Sequence, residues 1–282
     1  MKFELLDSLS LPSRPGKPND DAFGMAANAA VVLDGATGLG DNLMPGASDA
    51  AWLARFGANR LLAHAKEDAS SRTAVALAIE EAASSFAALR RRAPAERYEL
   101  PVASLMFVVA TDAGFEALWF GDCAALVKPP QGQIVVLGDA MEKRAAEARR
   151  VTQLAARYGL SPASASNRPE FLAALRKARN HANTDKGGWL FGTDIAAADR
   201  VSSALQDCAA GSLVLLVSDG FLALVSDYRR YDAAMLFEAV HAVGLKGLGQ
   251  ELRDIETADP DGARYPRFKT SDDATAVLLR VA

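Results

Sequence analysis

Cysteine is scarce in this chain: Cys123 and Cys208 are the only two in 282 residues, too few for a disulfide framework. Aromatic residues make up only 7%, so a core must come from aliphatic packing and close approach of elements, for which alanine is abundant. The three histidines, His64, His181 and His241, have no metal-ligand spacing, which removes the usual zinc patterns. There is no basic excess. A net charge of −4 gives no footprint for a nucleic-acid partner. No apolar run approaches the length that spans a bilayer, so no membrane segment is expected. Met1-Lys2-Phe3-Glu4 carries an acid and lacks the apolar stretch of a signal peptide, and a cytoplasmic location is expected.

Against these absences stand four aspartates, each where an extended apolar run meets a turn. They are Asp21 in Asn19-Asp20-Asp21, Asp34 in Val31-Val32-Leu33-Asp34-Gly35, Asp219 in Val217-Ser218-Asp219-Gly220, and Asp272 in Ser271-Asp272-Asp273-Ala274-Thr275. A carboxylate beside a core strand is costly unless it has a partner. No lysine or arginine near in sequence is expected to pair with each of them. An Asp-Gly pair can be no more than a turn. Four such sites gathered from distant parts of a chain suit oxygen-only coordination of a hard cation such as Mg²⁺ or Mn²⁺.

The hydropathy pattern supplies the elements between them. Residues 29–33 read as a strand, and Ser48 as the N-cap of a helix with Trp52, Leu53 and Phe56 on one face. Val75, Ile79, Ala82, Phe86 and Leu89 mark a second helix, with Thr73 its expected cap and Arg90-Arg91-Arg92 at its C-terminal end. Residues 102–110 and 115–127 read as two long strands joined by Thr111-Asp112-Ala113-Gly114, and Gln133–Leu137 as a third. Met141 to about Asn183 is helical, polar and rich in arginine and lysine. A strand at 212–218, helices near 232–243 and 247–257, and a strand over Ala274–Val281 complete the chain. Hairpins followed by helix pairs indicate an α+β sandwich rather than regular βαβ alternation.

In order and spacing, five segments resemble the metal-dependent PPM/PP2C family of serine/threonine protein phosphatases: Asp20-Asp21, Asp34-Gly35, Gly121-Asp122, Ser218-Asp219-Gly220 and Asp272-Asp273-Ala274-Thr275. That resemblance implies a four-layer αββα sandwich of two antiparallel sheets flanked by paired helices. It implies one domain over residues 1–282 with a variable flap at about 140–194. The implied cofactors are two Mg²⁺ or Mn²⁺ ions and a weak third. Asp34 would bridge the pair, the Gly35 carbonyl would bind one ion, Asp219 and Asp272 the other, and Asp21 with Asp20 the first. Asp122 and Asp219 would form a reduced third site. The implied reaction is hydrolysis of phosphoserine or phosphothreonine in a phosphoprotein by ion-activated water.

The chain departs from that family at three positions. Ala36 stands where a histidine, a proposed general acid, often follows Asp-Gly. Gly16 stands where eukaryotic members carry an arginine, with Arg14 and Lys17 on either side; either could reach the phosphate, or both could be solvated loop charges. Ala223 stands where an aspartate often supports a third ion. A small phosphomonoester substrate and a non-catalytic binding module remain alternatives, although a module that has lost turnover usually lacks a core carboxylate. Gly35-Ala36-Thr37-Gly38-Leu39-Gly40 also resembles a dinucleotide-binding turn, but its third glycine is replaced by Asp41, and Pro45-Gly46 interrupts the helix that should follow.

Overall fold

A computed structural model describes residues 1–65, 70–158 and 169–282. The strands are β1 (Phe3–Leu11), β2 (Asp21–Ala26), β3 (Ala29–Gly35), β4 (Val102–Ala110), β5 (Gly114–Phe120), β6 (Ala124–Lys128), β7 (Val135–Leu137), β8 (Phe191–Gly192), β9 (Ser202–Asp207), β10 (Leu213–Val217) and β11 (Ala274–Val281). The helices are α1 (Asp49–His64), α2 (Ser71–Leu89), α3 (Ala140–Tyr158), α4 (Pro169–Arg179), α5 (Asp219–Ser226) and α6 (Ala233–Ala258). One sheet runs β1-β11-β10-β6-β7; the other runs β2-β3-β4-β5-β9, with β8 added at β4. The strand pairs are antiparallel throughout.

Strand period 2 sorts the side chains into layers. On β3, Val31 and Leu33 join Leu53, Leu61 and Ile79 of α1 and α2, while Ala30 and Val32 face the second sheet. On β10, Leu215 and Val217 pack with Phe221, Leu236 and Leu248 of α5 and α6, while Val214 and Leu216 face back across the sandwich. Both sheets are therefore apolar on both faces. The result is the expected helix–sheet–sheet–helix stack.

Several boundaries differ from the sequence reading. Residues 115–127 are two strands in different sheets: β5 ends at Phe120, and the chain crosses over to β6, which pairs with β10. Gly121 makes the crossing possible. Its φ is +70°, and a Cβ there would lie 2.1 Å from Ser104 Oγ. Ser70, not Thr73, caps α2, its hydroxyl accepting from the Thr73 N–H. The two helices expected near 232–243 and 247–257 are both present as the two halves of α6, separated by the non-helical Gly244 (φ 70°, ψ 170°). The polar stretch after Met141 forms α3 and α4, and residues 159–168 of the expected flap lie outside the described residues. Among the described residues, no helix is long and apolar enough to cross a membrane.

Candidate metal centre

The two sheets deliver their acidic residues to one end of the sandwich. Asp21 opens β2 and Asp34 is the penultimate residue of β3, and the two are paired residues of the antiparallel ladder. Asp122 lies in the crossover between the sheets, Asp219 is the first residue of α5 directly after β10, and Asp272 precedes β11 by two residues. The ends of β10 and β11 are tied together: Ser218 N donates to the Thr275 carbonyl at 2.9 Å, and Thr275 N donates to Ser218 Oγ at 2.9 Å. Asp273 fixes the loop to the N-terminal segment, accepting from Ser13 N at 2.5 Å and Asp20 N at 2.7 Å. Gly35 is needed for close approach, since a Cβ would lie 2.5 Å from the Asp20 carbonyl and 2.8 Å from that of Ala50.

Carboxylate oxygens of Asp34, Asp122 and Asp219 all lie within 4.8 Å of one another. Both oxygens of Asp21 and Oδ1 of Asp219 are buried without a hydrogen-bond partner. Burial, followed by the charges of Asp219 and Asp21, pushes the Asp34 carboxyl well above the usual carboxylate range. Burial raises Asp21 in the same way; the Ser218 and Thr275 hydroxyls moderate the shift without closing a hydrogen bond. Asp219 is pushed up to about 6 by burial, with Arg144 opposing and Asp122 and Asp272 adding to the rise. Crowded, under-coordinated buried oxygens of this kind call for a cation, and an all-oxygen donor set fits Mg²⁺ or Mn²⁺.

The expected acidic residues do not all stand alike. Asp20 is buried but already engaged: its Oδ1 accepts from Ser48 Oγ at 2.5 Å and its Oδ2 from Thr37 Oγ1 at 3.3 Å, with Lys17 Nζ 3.8 Å away. Arg14 is exposed. Asp122 accepts from Ser104 Oγ at 2.5 Å.

Two cations not anticipated from sequence sit in the cluster. Lys269 Nζ donates to Asp272 Oδ1 at 2.9 Å and to Thr37 Oγ1 at 3.2 Å, giving one of the four acids a neighbouring lysine partner. Burial raises the Asp272 carboxyl, but the Lys269 charge and hydrogen bond outweigh it and hold it below its usual value. Arg144 of α3 donates from Nη1 to Asp219 Oδ2 at 2.7 Å. Its other edge is held by Asp227 through Nε at 3.1 Å and Nη2 at 2.9 Å. Lys269 precedes Asp272 by only three residues, so a scan for i,i+3 charge partners would have found it. Arg144 carried no local signal.

The sequence profile of the family described as Protein phosphatase 2C matches residues 13–255. The chain belongs to the Protein phosphatase 2C family. Solved structures agree at the level of fold. The Mycobacterium tuberculosis serine/threonine phosphatase PstP/Ppp is 15% identical, with a TM-score of 0.57 and coverage of 100% of this chain and 99% of that one. The catalytic domain of the serine/threonine protein phosphatase PstP in complex with two manganese ions is 16% identical, TM-score 0.55, with the same coverage. PppA, a regulatory component of T6SS in Pseudomonas aeruginosa, is 15% identical, TM-score 0.55, again covering 100% and 99%. No curated protein sequence matches the chain. The profile match of this Protein phosphatase 2C member stops before Asp272, which also lies outside the close trio of Asp34, Asp122 and Asp219.

Proposed function

We propose that this protein is a Mg²⁺- or Mn²⁺-dependent phosphatase that removes phosphate from phosphoserine or phosphothreonine in proteins, using two divalent ions at the carboxylate cluster. The observation that carries the reading is the set of buried, unpartnered oxygens on Asp21 and Asp219 beside the close trio Asp34, Asp122 and Asp219. Asp34, one of the close trio, would bridge the ions. The Gly35 carbonyl, Asp21 and, directly or through water, Asp20 would complete one side, and Asp219 and Asp272 the other. Asp122 would serve a weak third site with Asp219, since Ala223 offers no ligand there.

Bound divalent ions supply positive charge for the phosphoryl oxygens and acidify the attacking water. The protein's own contribution is placement. The buried β-strand ends hold the carboxylates before any ion arrives, so little reorganisation remains to be made on binding. Ala36 has no proton to give, so a water held at the centre would protonate the leaving oxygen instead. Of the two loop cations, Lys17 is the one proposed to meet the phosphate, because its Nζ already points at Asp20, whereas Arg14 is exposed.

The test is phosphate release from p-nitrophenyl phosphate and from a phosphothreonine peptide, with Mn²⁺ and after chelation. Mn²⁺-dependent release from both supports the reading. Release from p-nitrophenyl phosphate alone favours a small phosphomonoester substrate, and Mn²⁺ binding with no turnover favours a non-catalytic module.

A further inference from the structure

Arg144 is clamped on one edge and aimed with the other. Asp227 takes its Nε and Nη2, and Asp227 is itself fixed, its Oδ2 accepting from Ser226 Oγ at 2.6 Å. Another nitrogen, Nη1, reaches Asp219 Oδ2, an oxygen of the proposed ion-binding set. Only 11% of the Arg144 side chain and 9% of Asp227 are exposed, so this guanidinium is held in a fixed orientation rather than waving in solvent. Next to it on α3, Lys143 Nζ donates to the Gly121 carbonyl at 2.6 Å, which pins the same helical turn to the crossover carrying Asp122. A cation divided between a structural carboxylate and a ligand carboxylate has two fates once an ion takes the ligand. It can be expelled, or it can stay on its clamp with one corner turned to whatever anion the ion recruits.

Resting on the phosphatase reading above, we propose that Arg144 is a further phosphate-anchoring residue, additional to Lys17: held by Asp227, it exchanges Asp219 for a phosphoryl oxygen of the substrate. A planar guanidinium is suited to this, since one edge can stay paired while another donates, and charge-assisted bonds to phosphate are strong and directional. The assignment also gives a physical reason for the flap to begin where it does. The first turns of α3 carry the anchor into the centre from residues about 75 positions before Asp219. Asp227 is a positioning residue, since it touches Arg144 and not the reacting atoms.

The experiment measures inorganic phosphate binding to the Mn²⁺-loaded full chain by calorimetry, Mn²⁺ binding alone by a separate titration, and melting temperature for each variant. Arg144→Gln should weaken phosphate binding by about 10- to 100-fold, the equilibrium equivalent of one charged hydrogen bond, without weakening Mn²⁺ binding. Arg144→Lys should restore part of that loss, and Asp227→Asn should raise the phosphate dissociation constant several-fold at unchanged Mn²⁺ affinity. These two milder variants decide the question if Arg144→Gln fails to fold. Unchanged phosphate affinity in the variants, or a fall in Mn²⁺ affinity that accounts for the whole loss, would overturn the assignment and leave Arg144 as a brace for Asp219. A wild-type chain that takes up no Mn²⁺ would instead remove the phosphatase reading beneath it.

Discussion

Asp21 and Asp34 face each other across the β2–β3 ladder as directly paired residues, two carboxylates on one rung at the end of a sheet. Like charges directly opposite on neighbouring strands are destabilising, and burial adds to the cost. A fold that keeps such a pair gives up stability unless a cation restores it. Asp34→Asn should therefore do two opposite things. It should raise the stability of the chelated protein at neutral pH by on the order of 1 kcal/mol, and abolish both Mn²⁺-induced stabilisation and turnover. Denaturant unfolding with and without Mn²⁺ checks this. A variant less stable than wild type in chelator would show that Asp34 holds the fold by some other contact.

The same crowding fixes a pH dependence. Burial, opposed by Arg144, pushes the Asp219 carboxyl up to about 6, and Asp34 and Asp21 are raised as well. A carboxyl raised on folding binds more protons folded than unfolded. Its contribution is therefore complete below the unfolded carboxylate range and is lost as pH rises through the folded value. The chelated protein should lose stability between about pH 4 and pH 7, while the stabilisation added by Mn²⁺ should grow over the same window as protons cease to compete. Thermal melts at fixed ionic strength measure both slopes. A chelated protein that gains stability across that window, in a chain carrying these three aspartates, would contradict the electrostatic account.

Lys269 holds the carboxylate that the proposed centre would offer to an ion at Asp272. Its side chain is 40% exposed, so the pair itself adds little to stability. Lys269→Met should change the melting temperature only slightly but tighten Mn²⁺ binding several-fold, because Asp272 is released to the ion. Calorimetric titration reads this directly, and weaker Mn²⁺ binding in the variant would mean that Lys269 holds Asp272 in its working position.

The crossover depends on one backbone conformation. Gly121→Ala forces a left-handed residue and a Cβ against Ser104, at a cost of about 2 kcal/mol or more. Since Ser104 also donates to Asp122, activity should fall further than stability alone explains. Melting temperature and turnover above the ion-saturating concentration separate the two effects. Wild-type behaviour in both would show that the loop relaxes freely.

Much of this was legible in the sequence, for identifiable reasons. Residues 102–110 and Ala274–Val281 match β4 and β11 because strands buried on both faces leave long apolar runs. The Asp-Gly pairs stood out because a carboxylate at the end of such a run has no packing role. The crossover at Gly121 did not, since residues 115–127 are apolar on either side and only the φ at one glycine and its contact with Ser104 divide them. Strand β9 was missed because it is a sheet edge with serines, a glutamine and a largely exposed Leu205, which gives no alternation to read. Strands β1 and β2, flanked by partly exposed positions, were missed for a similar reason. Arg144 and Asp227 lie 83 residues apart and meet only because α3 packs on α5. No local pattern encodes that meeting.

The central claim is that the aspartates at the end of the sandwich hold divalent cations, and anomalous scattering from crystals grown with Mn²⁺ tests it most directly. The account predicts manganese peaks in contact with Asp34 and shared with Asp219 and Asp272, with Arg144 Nη1 turned away from Asp219. A map with no peak at Asp34, and Arg144 and Lys269 still seated on their carboxylates in saturating Mn²⁺, would contradict it.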